Sequence, residues 1–248
     1  ALFTHTAPPS KFYPIDNSMI RIFIFSYSGD AAEAVACVRC ARMAVPCASV
    51  TVVDDASSPV QEETAEALRS MGAEYVQSSW ERHGNLRGPD CIRGMLSEMC
   101  REAEDDDILV KVDCDTALLD GGWLRWMEQR PWCQMYTSGD FVNGDWRVFG
   151  CLYALRGWIA RRLYREMDWS LLDDRAPEDW TIGREVLARV PAALCRIDEP
   201  WRKRSPWSIW TAWCWPSRTV SAESYAARFA VVITGSPRMS NPVSYTHL

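Results

Sequence analysis

The fold is decided by a short stretch near the middle of the chain, residues 108–115, which reads Ile-Leu-Val-Lys-Val-Asp-Cys-Asp. Its first five residues are mostly apolar and β-branched, which predicts a buried strand over 108–112. Asp113 and Asp115 follow where that strand ends, so both carboxylates can face one hard cation if the chain turns there. Polar residues at the end of a buried strand indicate a ligand site at the carboxyl edge of a sheet.

Further strand-like runs precede this stretch and alternate with helical ones. The strand-like runs are residues 20–26, 49–53 and 73–77. The runs with apolar side chains at helical spacing are residues 31–43, 60–71 and 89–104. Strands that alternate with helices of this length form right-handed βαβ units and a parallel sheet. The sequence therefore predicts an α/β fold, a single domain with a mainly parallel central sheet flanked by helices.

The second half of the chain is less regular. Its patterns predict helices over residues 123–129, 158–167 and 179–190. They predict strands over residues 134–137 and 148–154. We see no internal repeat and no long linker, which favours one continuous domain.

The composition narrows the classes of protein to which the chain can belong. It has 248 residues, of which 48% are hydrophobic and 24% charged, so it can bury a sizeable core and is not a disordered chain. Its net charge of −6 argues against a nucleic-acid partner. No apolar run reaches the roughly 18 residues that span a bilayer, and the first residues do not resemble a signal peptide. We therefore expect a cytoplasmic protein.

Polar residues also follow the first two predicted strands. Ser26 and Tyr27 end the first strand, and Asp54 and Asp55 end the second. Because the carboxyl ends of parallel strands meet at one edge, we expect these residues to lie near Asp113. A carboxylate there can accept hydrogen bonds from the base or ribose of a nucleoside. The alternative for Asp54 and Asp55 is an Asx turn or a helix cap before Pro59.

A third acidic pair, Glu178-Asp179, follows Pro177 and opens a predicted helix. Acidic residues stabilise a helix N-terminus through the helix dipole, so capping is one interpretation. The other is that a carboxylate at this position acts as a general base.

Taken in chain order, these motifs resemble those of GT-A glycosyltransferases, and they are most similar to the inverting family 2 type. The segments that carry the resemblance are residues 20–30, 52–58, 112–115, 150–154 and 177–179. The similarity covers roughly residues 20 to 190. It implies an enzyme that moves a sugar from a nucleotide-diphosphate sugar, with a UDP-sugar favoured, to the hydroxyl of a saccharide or other acceptor, with inversion.

The resemblance also implies a role for individual residues. Asp113 and Asp115 would bind the Mn²⁺ or Mg²⁺ that holds the diphosphate. Asp179, with Glu178 beside it, would match the acidic pair that supplies the catalytic base. The residues implied to bind the donor are Ser26, Tyr27, Asp54, Asp55, Asn85, Arg87 and Asp113. The residues expected on the acceptor side are Gly150, Tyr153, Trp146 and Trp180.

Two other functions fit parts of the sequence. A phosphatase of the haloacid dehalogenase type also places a nucleophilic Asp-x-Asp after an apolar strand, which Asp113 and Asp115 would supply. That motif normally stands on the first strand, whereas here three predicted strands precede it. A nucleotide-sugar-binding protein without catalysis is the second alternative.

The tryptophans divide the chain unevenly. Only Trp80 lies before residue 120, and the other twelve lie between Trp123 and Trp215. Because indole faces stack on sugar rings, we infer a donor half over residues 20–120 and an acceptor half over 121–235. We expect residues 1–19 to be an N-terminal extension and residues 236–248 to be a truncated or artefactual tail. The Trp- and Arg-rich segment 200–215 is also typical of a peripheral contact with a membrane.

Overall fold

A computed structural model of the chain describes residues 18–80, 82, 86–142, 145–198, 211–213 and 231–233. Its strands are β1 Ile20–Ser26, β2 Ser49–Asp54, β3 Glu74–Gln77, β4 Ile108–Asp113, β5 Thr116–Leu118, β6 Met135–Val142, β7 Asp145–Arg156, β8 Cys195–Asp198, β9 Thr211–Trp213 and β10 Val231–Ile233. Its α-helices are α1 Ala31–Ala44, α2 Glu62–Ser70, α3 Pro89–Cys100, α4 Gly122–Glu128, α5 Gly157–Glu166 and α6 Glu178–Arg189. Short 3₁₀ turns lie at Ser28–Asp30, Trp169–Leu171 and Ala192–Leu194.

The main sheet has the strand order β3-β2-β1-β4-β7-β6-β8. Strands β3, β2, β1 and β4 pair in parallel, and β8 pairs in parallel with β6. Strand β7 runs antiparallel to both of its neighbours, β4 and β6. The expected mainly parallel sheet is therefore confirmed, with one reversed strand inside it. A smaller sheet joins β10 to β5 and β9.

The alternation of side chains along β1 explains why helices cover both faces of the main sheet. Ile22 and Ile24 are fully buried in one apolar cluster, while Phe23 and Phe25 belong to a second cluster. Successive side chains of a strand point to opposite faces, so these two clusters lie on opposite sides of the sheet. Side chains of α1, α2 and α4 complete the first cluster, and those of α3, α5 and α6 complete the second. The molecule thus has three layers, with the sheet in the middle.

Most predicted elements are present, with differences at their ends. Helix α3 ends at Cys100 and not at Glu104, because the Ala103 amide donates to the Cys100 carbonyl in a turn. Ala103 is nevertheless buried, which is why the apolar pattern runs past the end of the helix. Strands β6 and β7 extend well beyond the predicted runs. Phe141, in the added part of β6, is 60% exposed, and Trp146 and Arg147, in the added part of β7, are partly exposed, so these parts carry no buried apolar run that sequence patterns detect.

Strand β4 pairs with β7, so the regions 20–120 and 121–235, which were expected to form a donor and an acceptor half, contribute to one sheet. Of the expected N-terminal extension, only residues 18–19 are described. The expected tail 236–248 lies outside the described residues, as does the segment 200–215 apart from residues 211–213. None of the described helices is both long and apolar enough to cross a lipid bilayer.

Arg156, at the end of β7, holds the end of the sheet to α4. Its side chain is buried, and its guanidinium donates to the carbonyl oxygens of Cys133, Asp106, Met127 and Arg130 at distances of 2.6 to 3.2 Å. These carbonyls belong to the last turn of α4, to the loop after it and to the turn before β4. The Met127 and Arg130 carbonyls also accept from the backbone amides of Arg130 and Cys133, so the guanidinium adds a donor to them and also bonds the Cys133 and Asp106 carbonyls.

We predict that Arg156→Met lowers the free energy of unfolding by at least about 2 kcal/mol, since the Cys133 and Asp106 carbonyls lose the guanidinium donor and each such loss costs roughly 1–3 kcal/mol. Urea unfolding at neutral pH measures the loss. Arg162→Met, which removes a half-exposed guanidinium from α5, is the matched control and should change stability by about 0.5 kcal/mol or less. A loss below about 1 kcal/mol for Arg156→Met would contradict this account.

Candidate active site

A cavity of about 800 Å³ opens at the carboxyl ends of β1 and β4. Its size is that of a pocket for a drug-sized ligand or cofactor. The residues that line it come from the ends of both strands, from β7, from the loop before α3 and from the start of α6. They are Tyr27, Gly29, Asp30, Glu33, Arg82, Leu86, Arg87, Lys111, Asp113, Cys114, Asp115, Gly150, Pro177, Glu178, Asp179 and Trp180.

A buried lysine lies at the base of this cavity. The Lys111 side chain is 1% exposed, and its Nζ lies 2.6 Å from Asp113 Oδ1 and 3.4 Å from Glu178 Oε1. The same ammonium donates a hydrogen bond to the carbonyl oxygen of Gly150. Lys111 therefore joins β4, β7 and α6 at one point.

The pleat of β4 explains this arrangement. Residues two apart on a strand face the same side, so Lys111 and Asp113 share the face of Leu109. Leu109 is buried in the cluster to which α6 contributes Ile182 and Val186. The side chain of Lys111 is thereby directed towards the layer that holds α6 and its acidic N-terminus.

Burial and charge act against each other at this lysine. Burial alone would lower the pKa of Lys111, but the carboxylates of Asp113 and Glu178 outweigh it and leave the pKa above its ordinary value. Burial raises the pKa of Glu178 to about 7, although the Lys111 ammonium opposes the shift. Among the described residues, no hydrogen bond reaches Glu178 Oε1. The lysine thus stays charged, and the glutamate titrates near neutrality.

The carboxylates nearest the open part of the cavity are also shifted. Burial, followed by the charge of Asp113, raises the pKa of Asp115 to about 6. Burial raises the pKa of Asp179 as well, although the Trp180 amide, which donates to Asp179 Oδ1 at 2.8 Å, opposes it. Both groups are only partly exposed. Desolvated carboxylates of this kind are better proton acceptors than those in water.

Gly150 allows α6 to lie close to β7. A Cβ atom at this position would lie 3.1 Å from the Asp179 Cβ and 3.2 Å from Glu178 Oε2. A side chain on residue 150 would therefore push the acidic pair away from the sheet. Because residue 150 has no side chain, its carbonyl can accept the hydrogen bond from Lys111. The carboxylates of Glu178 and Asp179 can then lie at the wall of the cavity.

An arginine and an aspartate form the wall near β1. The Arg82 Nη1 donates to the Phe25 carbonyl at 3.0 Å and lies 3.5 Å from Asp30 Oδ2, while its guanidinium lies over the Tyr27 ring. Cys114 Sγ donates to the same carboxylate of Asp30 at 2.7 Å. Burial raises the pKa of Asp30, although Cys114 and Arg82 oppose the shift. This wall thus presents an aromatic ring and a buried cation to the cavity.

Arg87 reaches the cavity through backbone pairing. It forms an isolated bridge with Pro177. Beside the bridge, the Glu178 amide donates to Leu86 O at 3.1 Å and the Gly88 amide donates to Ala176 O at 3.0 Å. The loop before α3 is therefore attached to the start of α6, which brings a guanidinium and the acidic pair to the same cavity.

The structure brings together most of the residues expected at the site. Those that line the large cavity are Tyr27, Arg87, Asp113, Asp115, Gly150, Glu178, Asp179 and Trp180. Trp146 lines a neighbouring cavity, which it shares with Trp180. Asn85 lies outside the described residues.

The structure corrects the expected donor contacts of Ser26 and Asp54. Both are fully buried, and the Ser26 hydroxyl donates to Asp54 Oδ1 at 2.8 Å. The other oxygen of Asp54 accepts from the Val60 amide and from the Tyr75 hydroxyl, at 2.8 and 2.6 Å. Asp54 therefore has no oxygen left for a nucleoside and ties β1, β2 and β3 together.

Asp55 adopts the Asx turn that was the alternative for this position. Its Oδ1 accepts hydrogen bonds from the amide and hydroxyl of Ser57, at 2.9 and 2.7 Å. Its side chain does not line the large cavity. In this position Asp55 does not make the expected contact with a base or ribose bound in the large cavity.

Tyr153 is also wrong as an acceptor residue. It is fully buried in the cluster under α6, where its hydroxyl donates to Met95 Sδ at 3.4 Å. Tyr153 pairs with Lys111 across β4 and β7, which places it below the cavity and not in it. Its ring supports Lys111, whose Nζ lies 5.8 Å from the ring centroid.

Sequence patterns did not single out Asp30 and Arg82. Asp30 is only the last residue of the segment 20–30 that carries the resemblance, and Arg82 belongs to no motif. The only signal for Arg82 is that a cation precedes the loop containing Asn85 and Arg87.

Two carboxylates of the cavity fit a divalent cation. Asp113 and Asp115 supply hard oxygen ligands, and Mg²⁺ or Mn²⁺ is commonly held by one or two carboxylates with the rest from phosphate and water. In the part of the chain that the structure describes, no group of three or more His, Cys, Asp or Glu side chains is arranged to hold a metal. Two carboxylates would leave the other positions of such a cation to phosphate and water.

Comparison with known proteins identifies the fold. No protein-family model matches the sequence, and no curated protein matches it significantly. Among solved structures, glucosyl-3-phosphoglycerate synthase from Mycobacterium tuberculosis in complex with UDP has a TM-score of 0.51 at 13% identity, over 76% of this chain and 74% of the other. The same enzyme with Mn²⁺, UDP and glucosyl-3-phosphoglycerate has a TM-score of 0.50, over 76% of this chain and 73% of the other, also at 13% identity. An active-site mutant of LgtC has a TM-score of 0.50 at 12% identity, over 88% of both chains.

The chain has a GT-A fold. In this GT-A chain, the Asp113-Cys114-Asp115 motif stands on the fourth strand along the sequence, at the middle of the sheet. That position disfavours the haloacid dehalogenase alternative, which expects its motif on the first strand.

The raised pKa of Glu178 gives a prediction for stability. Because burial raises this pKa to about 7 from an ordinary 4.5, the folded chain keeps a proton here that the unfolded chain has lost between about pH 4.5 and 7. From this group alone, the free energy of unfolding rises as the pH falls through that window. We predict that Glu178→Gln removes this contribution. The pH-dependent part of the free energy of unfolding should then be smaller in the variant than in the wild type by on the order of 1–3 kcal/mol.

Urea unfolding of metal-free protein at pH 5, 6 and 7 measures this dependence. Only the slope of the free energy of unfolding against pH is compared, because the variant also removes a partner of Lys111 and so changes stability at every pH. Glu66→Gln, on the exposed side of α2, should keep the wild-type slope. Identical slopes for Glu178→Gln and wild type would show that Glu178 does not titrate as its burial requires.

Proposed function

We propose that this chain is a metal-dependent glycosyltransferase that moves a sugar from a nucleotide-diphosphate sugar to an acceptor hydroxyl. One observation carries the proposal. The two carboxylates suited to a cation, Asp113 and Asp115, and the candidate base, Asp179, line one cavity from different elements. Such an arrangement can hold a leaving group on one side and deprotonate a nucleophile on the other. The M. tuberculosis synthase of similar fold binds Mn²⁺ and UDP, which is in keeping with this proposal.

The donor side of the reaction is assigned to β1 and β4. Asp113 and Asp115 would hold Mn²⁺ or Mg²⁺, which offsets the negative charge that builds on a departing diphosphate. The Lys111 ammonium occupies Asp113 Oδ1 and thereby orients the other oxygen of that carboxylate. Tyr27 and Arg87 line the same cavity, where the ring can stack on a base and the guanidinium can pair with phosphate.

The acceptor side is assigned to α6. Asp179 would take the proton of the acceptor hydroxyl as the new bond forms, since its carboxylate faces the cavity and its pKa is raised by burial. Glu178 is more deeply buried and faces Lys111, so we assign it to positioning and not to proton transfer. A single base that acts on the face opposite the departing diphosphate gives inversion, as expected for a family 2 enzyme.

The remaining parts of the proposal concern the ligands and their location. A UDP-sugar stays the expected donor, and a saccharide or other hydroxyl compound stays the expected acceptor. Cytoplasmic location and a peripheral membrane contact through residues 200–215 stay predictions, since most of that segment lies outside the described residues.

The proposal is tested by incubating the protein with UDP-, GDP- and CMP-sugars and Mn²⁺, and by following both transfer to a hydroxyl acceptor and hydrolysis of the donor. We predict that Asp179→Asn lowers the transfer rate at least about 100-fold, because general base catalysis supplies that much, while Mn²⁺-dependent nucleotide affinity changes less than twofold or so. Asp113→Asn and Asp115→Asn should each weaken Mn²⁺-dependent nucleotide binding at least about tenfold.

Asp90→Asn, which alters an exposed carboxylate of α3 outside the cavity lining, is the matched control and should behave as wild type. Unchanged metal-dependent binding in Asp115→Asn would reject the metal site. Donor binding by the wild type with neither transfer nor hydrolysis would favour the inactive binding protein. Turnover of an aryl phosphate that Asp113→Asn abolishes would favour the phosphatase.

A further inference from the structure

A second cavity, of about 580 Å³, lies beside the candidate active site. Its lining residues are Trp146, Arg147, Leu171, Leu172, Asp173, Ala176, Pro177, Trp180, Thr181 and Arg184. Pro177 and Trp180 line both cavities, and they flank the acidic pair in the sequence. A ligand whose hydroxyl meets Asp179 can therefore pass over Trp180 into the second cavity.

The walls of this second cavity are mostly apolar. Trp146, Leu172 and Trp180 face it together with Leu171, which belongs to the 3₁₀ turn before α6. Leu171 is 80% exposed and Trp180 is 56% exposed. Adjacent exposed apolar side chains that line one concave surface are typical of a binding site.

Four polar side chains also line these walls, and each makes at least one contact within the chain. The Thr181 hydroxyl donates to Pro177 O at 2.8 Å, and Asp173 Oδ1 accepts from the Arg175 amide at 2.7 Å. The Arg184 Nε lies 3.4 Å from Glu185 Oε1. The Arg147 guanidinium lies over the Phe149 ring. A second sugar would need several hydrogen-bond partners for its hydroxyls, whereas an apolar group needs none.

We propose that the acceptor is a hydroxyl compound with an apolar aglycone, alkyl or aryl, and that the second cavity binds this aglycone. The inference rests on the proposed glycosyltransferase function, because it assigns the acceptor hydroxyl to Asp179. A volume of about 580 Å³ accommodates an aromatic ring or a short alkyl chain. Trp146 and Trp180 provide flat contact surfaces, and the two leucines provide aliphatic ones.

The test compares the binding of methyl, phenyl and octyl β-glucosides, each below its aggregation threshold, by isothermal titration calorimetry without donor. We predict that the octyl or the phenyl glucoside binds at least about tenfold more tightly than the methyl glucoside, since a few methylenes in an apolar pocket give that much discrimination. Leu171→Ser should reduce this preference to less than about twofold. Leu171 is mostly exposed, so its replacement should not prevent folding.

Met43→Ser is the matched control, since Met43 is 55% exposed on α1 and lines neither cavity. It should keep the wild-type preference. Equal binding of the three glucosides, or equal loss of preference in both variants, would overturn the inference. Because these titrations need no donor, they succeed or fail separately from the transfer and hydrolysis assays that test the proposed function.

Discussion

The candidate site depends on one buried ammonium group. Lys111 contacts a carboxylate of β4, a carbonyl of β7 and a carboxylate of α6. A buried charge is tolerated only when it is paired and hydrogen-bonded, so these three partners must stay where they are for the chain to fold. The same requirement fixes Asp113 and the start of α6 at the lining of one cavity. Stability and the placement of the proposed chemistry are thus coupled through one side chain.

Local patterns were sufficient for the six α-helices, for β1 to β4, β6 and β7, and for the position of the Asp113-Cys114-Asp115 motif, but they did not predict the short strands β5, β8, β9 and β10. A buried strand followed by two carboxylates needs no distant partner to be recognised. The patterns failed at Asp54, because its role is decided by Tyr75 and Val60, which the fold brings from elsewhere. Asp54 and Asp113 both follow an apolar strand, so the sequence does not distinguish a structural carboxylate from one that faces the cavity.

Distant contacts also explain how residues far apart in the sequence come to share the site. Arg87 and Asp179 share a cavity because the loop before α3 pairs with the residues before α6. Gly150 matters because α6 packs closely against β7 at this position. A single glycine in a strand does not by itself predict such packing. The excess of tryptophan after residue 120 has more than one cause. Trp123 is fully buried in the core, whereas Trp146 and Trp180 line the second cavity.

The central claim is that the large cavity binds a nucleoside diphosphate together with a divalent cation. Calorimetric titration of UDP and GDP into the wild-type protein, with Mn²⁺ and with EDTA, tests it most directly. The account predicts that one of the two nucleotides binds at least about tenfold more tightly with Mn²⁺, since Asp113 and Asp115 would hold the cation and its charge would offset that of the diphosphate. No binding of either nucleotide, or the same affinity with and without Mn²⁺, would contradict the account.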